Sequence, residues 1–250
     1  MSDPRIHLAL RMGDNSLILA QQNSKWCGHA PTLEEDIALA NVSLDLMGHA
    51  QMWLGFAAEV EGEGRNADTL AFFRDTEEFR NSLLVERPNV DFATTLMRQY
   101  LFDVWHLEQL LLLSKSSDTL VAEISQKALV EVRYHRERSQ SLVIRLGDGT
   151  IESHNRMQVA LNALWSYFGS FFENSKTDEL LFDLQISSMP SSLYPSVLEQ
   201  LNQDCELSTL KMPESEFWQK GAVQGHHTEN LGYILAEMQY LQRTYPNSKW

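Results

Sequence analysis

The sequence has 250 residues, 43% of them hydrophobic, with 34 acidic against 20 basic side chains and a formal net charge of −14. That balance argues against nucleic acid and anionic membrane surfaces as partners, and the longest clean apolar run, Leu110-Leu111-Leu112-Leu113, is far too short to span a bilayer. Cys27 and Cys205 are the only cysteines and form no CxxC, which implies reduced thiols in a cytoplasmic protein; Asp3, Arg5, His7 and Arg11 interrupt any signal-peptide core.

Frequent Leu, Ala, Glu, Gln and Met make helix the dominant expectation. A first helix is expected over 6–22, weakened by Gly13 and carrying the polar Asp14 in its middle. A loop follows, containing Trp26-Cys27-Gly28-His29-Ala30. The central helix runs from 33 to about 60: Pro31 breaks what precedes, Thr32 caps and Glu35 closes a capping box. Leu33, Ile37, Ala40, Leu44 and Met47 trace one of its stripes, and Leu39, Val42, Leu46, Gly48, Ala50 and Trp53 cover much of the opposite side. A helix apolar nearly all round is expected at the centre of a bundle. Gly62 and Gly64 stop it.

A short helix is expected over about 67–79, then a third long helix from the Asp91 cap to 113. A fourth, capped by Ser117 or Asp118, reaches 146, and a fifth starts at Thr150 and is rich in aromatics: Trp165, Tyr167, Phe168, Phe171, Phe172. The stretch 176–195 reads as a short helix and a loop, Pro195 opens a further helix to 207, and a last one spans 228–243. The expected fold is therefore all-α, a four-helix bundle over about 5–147 with additional C-terminal helices over about 150–245, in a single domain 1–250. Trp165, Phe168, Phe171, Phe172 and Met238 exceed what a four-helix core needs and form a pool for either core or subunit interface.

Carboxylates and histidines recur on these helices. Asp45 and His49 lie four apart on the central helix, Glu131 and His135 four apart on the fourth, and Asp103 and His106 three apart on the third. Di-iron bundles take one Glu from each of two helices and Glu-x-x-His from each of two others. Here the residues three before His49 and His135 are Leu46 and Val132, so both Glu-x-x-His motifs are broken at the same position, with carboxylates one residue earlier. Either Asp45–His49 and Glu131–His135 are buried polar pairs where a metal once sat, or His49, Asp103, His135, Asp45 and Glu131 form an altered ligand set. His226, His227 and Glu229 sit at a helix start, where Thr228 or Glu229 serves capping. Cys27 and His29 lack a third orienting group, as a nucleophile pair would need.

Several blocks carry a family resemblance: Leu10-Arg11-Met12-Gly13-Asp14-Asn15, Trp26-Cys27-Gly28-His29-Ala30-Pro31, and the run from Asp36 to Leu46. Further blocks are Asp68-Thr69-Leu70-Ala71-Phe72, Arg98-Gln99-Tyr100, Arg133-Tyr134-His135, and the tail from His227 to Gly232 and from Leu235 to Arg243, closing on Trp250. With them the chain resembles, over nearly its full length, the structural (C) subunits of the phenylacetyl-CoA 1,2-epoxidases of bacterial phenylacetate catabolism. The resemblance implies a ferritin-like bundle and a hetero-oligomer with a di-iron catalytic (A) subunit, served by small subunits and by a reductase carrying FAD and a 2Fe-2S cluster and drawing on NADPH. It implies no catalytic residue and no cofactor in this chain, with His49, Asp103, His135, Asp45 and Glu131 as vestigial metal-site positions. Two rivals stay open: an autonomous metalloenzyme of the di-iron class with an altered ligand set, and a free-standing binding or storage protein.

Overall fold

The computed structural model describes residues 3–215, 217–246 and 248; Trp250, the last residue of the resemblance, lies outside them. Its helices are α1 (Pro4–Trp26), α2 (Leu33–Glu61), α3 (Ala67–Phe72), α4 (Phe92–Leu113), α5 (Thr119–Gly147), α6 (Ile151–Phe168), α7 (Lys176–Asp183), α8 (Tyr194–Leu207), α9 (Glu229–Met238) and α10 (Tyr240–Thr244). Among the described residues there is no strand, as the composition implies. The chain forms two compact units, Met1–Pro88 with Gly221–Trp250, and Asn89–Lys220.

In the first unit α1 starts where Asp3 accepts a hydrogen bond from the Arg5 amide at 2.9 Å, with Pro4 fixing the first helical φ. It runs past the expected end at 22: Gln22 and Asn23 are buried, and the Gln22 Nε2 donates to the Arg87 carbonyl at 2.9 Å, which holds the helix there. Gly13 marks a close approach of α1 to α2, since a Cβ there would come within 2.8 Å of the Leu54 side chain. Thr32 caps α2 through the Glu35 amide, and Gly62 ends it in the left-handed region at φ 72°. Leu39, Val42, Leu46, Ala50 and Trp53 of α2 are buried.

The other stripe of α2 is not. Leu33, Ile37, Leu44 and Met47 are exposed, and so is Gly48, which the periodicity groups with the buried side. The expectation of a helix wrapped on all sides is therefore corrected. Both stripes are apolar, so periodicity alone cannot say which of them the rest of the chain covers. Past α3 the expected helix breaks into a separate turn, Thr76–Glu78, because Asp75 and Glu78 form a capping box of their own. The last helix is also divided, at Gln239, whose Nε2 donates to the carbonyls of Ala71 and Arg74 at 3.0 Å each.

In the second unit Asp91 caps α4 through the Thr94 amide at 2.8 Å, and Asp118 rather than Ser117 caps α5. A short turn lets α5 fold back along α4, and the Thr150–Ser153 capping box opens α6. Trp165, Phe168 and Phe171 are buried in this unit, with Trp105 and Phe171 stacked at 4.2 Å between ring centroids. The aromatic pool of the sequence is consequently core, apart from the half-buried Phe172. Aromatic rings bury large area and need partners, and α6 and the segment after it supply them to each other.

Candidate functional site

Successive helical residues point about 100° apart, so of two neighbours only one can face fully inward. On α2 Leu46 and His49 take the inward positions, both fully buried, and Asp45 is half-buried. On α5 Val132 and His135 are buried and Glu131 is half-buried. The inward i, i+3 pairs are thus apolar–imidazole on both helices, with each carboxylate turned towards the helix flank.

On α4 the third carboxylate is fully buried. Asp103 accepts a hydrogen bond from Gln99 Nε2 at 2.6 Å through Oδ1 and from Ser139 Oγ of α5 at 2.7 Å through Oδ2. Burial pushes its carboxyl up to about 7, against the downward pull of Ser139 and Gln99. His106, one turn on, is buried in an aromatic nest: its ring lies 4.7 Å from Phe102 and stacks at 5.9 Å on Trp105. Asp45 and His49 belong to the first unit, and Asp103, Glu131 and His135 to the second. Among the described residues no group of three or more His, Cys, Asp or Glu side chains is placed to hold a metal ion.

Sequence reasoning missed three buried polar clusters. Asp14 of α1 is fully buried and its carboxylate takes both Arg74 Nη atoms and the Arg80 amide, the latter at 2.8 Å; Arg74 in turn lies over the Phe79 ring at 4.2 Å. The signal was Asp14 itself, a charge in mid-helix, which must be paired if buried. Glu86 accepts from the Thr228 amide at 3.2 Å and hydroxyl at 3.0 Å, and its Oε1 lies 3.1 Å from His227 Nδ1. His227 Nε2 lies 3.0 Å from the Phe79 carbonyl. Burial raises the Glu86 carboxyl above its ordinary range, with His227 and Thr228 pulling it back. Thr228 therefore serves Glu86 rather than capping α9 with its side chain, as the sequence suggested. Asp204 of α8 accepts from Tyr100 OH at 2.7 Å, from Gln140 Nε2 at 2.5 Å and from Arg136, tying α8 to α4 and α5.

The Cys27–His29 loop is fixed from behind by Asp36, whose carboxylate accepts from the Gly28 amide at 2.7 Å. Burial and the Asp36 charge raise the Cys27 thiol, the opposite of what a nucleophile needs.

The sequence model of the family described as Phenylacetic acid catabolic protein matches residues 1–250. The chain is 45% identical over 241 residues to the C subunit of the 1,2-phenylacetyl-CoA epoxidase of Escherichia coli (strain K12), covering 96% of this chain and 97% of that protein.

Proposed function

The chain belongs to the family of phenylacetic acid catabolic proteins, whose fold is all-α and ferritin-like, and from that premise we propose that it is the non-catalytic structural subunit of a multicomponent phenylacetyl-CoA 1,2-epoxidase. In this reading it pairs with a di-iron catalytic subunit, and a reductase carrying FAD and a 2Fe-2S cluster supplies electrons from NADPH in the cytoplasm. The observation that carries it is the pair Leu46 and Val132, fully buried apolar residues one turn before the buried His49 and His135. A bridged di-iron centre needs anionic oxygen donors at those two positions. Asp103 adds to the argument, because its oxygens are already engaged by Gln99 and Ser139. The donor set does not fit a di-iron cluster, and no chemical step is assigned to this chain. Its work is to fold into a helical body and to hold its partner.

The test is to purify the chain alone and with its catalytic partner, load both with ferrous ion, and measure iron and epoxidation. The expected result is iron well below one equivalent on the isolated chain and activity in the assembled pair. Near-stoichiometric iron with a ferric–carboxylate absorption band on the isolated chain would overturn the reading and favour the altered-ligand metalloenzyme.

A further inference from the structure

The outer face of α2 is a seam without a cover. Leu33, Ile37, Leu44 and Met47 are 70%, 54%, 65% and 51% exposed, and the half-buried Ala40 lies between them. With Gln51 these positions step by four and three residues alternately, the spacing of a coiled-coil seam. The nineteen residues from Leu33 to Gln51 make a strip about 28 Å long. A side chain added at Gly48, beside the strip, would meet nothing within 4 Å, so a second backbone has room to approach. Among the described residues no other helix exposes four large apolar residues: α5 shows Leu120, Val130 and Tyr134, α6 Ile151 and Val159, α7 Leu180 and Phe182, and α10 Tyr240 and Leu241.

Charge selects the occupant. α2 contains no lysine or arginine, and the exposed charged residue beside the seam, Glu34, is acidic. A second copy of this chain laid along the seam would set acid against acid on a molecule of net charge −14. A helix with an apolar stripe and Lys or Arg on its flanks would satisfy both the strip and the rim. We propose that the outer face of α2 is the docking seam for one long, basic-flanked helix of the catalytic subunit, an inference that rests on the pairing proposed above. The alternating spacing calls for a helix rather than an extended peptide, because a strand presents its side chains at a period of two.

The experiment uses the full-length chain and the co-expressed catalytic subunit, with the dissociation constant measured by titration and the folded state of every variant checked by circular dichroism. The double variant Ile37→Glu/Leu44→Glu changes exposed positions only and should weaken association by at least about 30-fold, as removal of a central hot spot does. Val159→Glu on α6 should change it by less than about threefold. Glu34→Lys at the rim should slow association several-fold, an effect that shrinks with added salt. If the wild-type pair forms and the seam variant binds equally well, the seam assignment is overturned while the pairing stands. If the wild-type chains do not associate at all, the pairing fails and the seam with it. If the wild-type chain alone sediments as a dimer that Ile37→Glu/Leu44→Glu dissociates, the occupant is a second copy and the proposal is again overturned.

Discussion

Among single residues, Asp103 is a buried carboxyl whose charge the fold accommodates poorly. Its hydrogen-bond donors are the neutral Gln99 and Ser139, and burial raises its carboxyl to about 7 from an unfolded value near 3.9. Between those values the native state binds more protons than the unfolded chain, so stability is fully present below about pH 4 and is lost as pH rises through about 7. Asp103→Asn keeps an acceptor for Ser139 and removes the charge. The variant is expected to be more stable than the wild type at pH 8, by on the order of 1–3 kcal/mol, with the difference vanishing near pH 4. Urea denaturation of both proteins across that range measures it; a wild-type chain with no loss relative to the variant between pH 5 and 8 would contradict it.

Among the elements, two glycines of long helices should respond to the same substitution with opposite sign. Gly13 lies where α1 crosses α2, and a Cβ there would stand 2.8 Å from Leu54 and 3.3 Å from its backbone nitrogen. Gly13→Ala should destabilise the chain by about 1–3 kcal/mol, the overpacking cost exceeding the gain in helix propensity. Gly48 has open space before it, so Gly48→Ala should stabilise the isolated chain by about 0.5–1 kcal/mol. Thermal or urea midpoints decide both. The segment from Gly221 onward is held to the first unit by Glu86, which takes Thr228 and faces His227. Glu86→Ala leaves those buried partners without their acceptor and should cost about 3–5 kcal/mol. Limited proteolysis should then cut first near α9; unchanged cleavage sites and stability would show that the pair does not hold the segment.

Taken whole, the molecule exposes an aliphatic strip on α2, and association with a partner is expected to run through that helix face. A catalytic partner built to cover that strip should itself be left with an apolar surface when alone. It is expected to be less soluble when expressed by itself than with this chain, and the two should elute together in size exclusion. A partner that is soluble, monomeric and fully active alone would remove the scaffold role.

Features settled within a few residues along the chain are legible without any fold. Thr32, Asp91, Asp118 and Thr150 cap their helices because the side chain and the amide it satisfies are three residues apart, and Gly62 stops α2 for an equally local reason. The same proximity makes the altered motifs readable: Leu46 and Val132 stand three residues before His49 and His135 whatever surrounds them. Which stripe of α2 is covered depends on tertiary packing, because both are apolar and periodicity treats them alike. So do the partners of Asp14, Glu86 and Asp204, which lie 60, 141 and 104 residues away at Arg74, His227 and Tyr100. A buried charge announces only that it needs a partner; the packing of distant segments chooses which one.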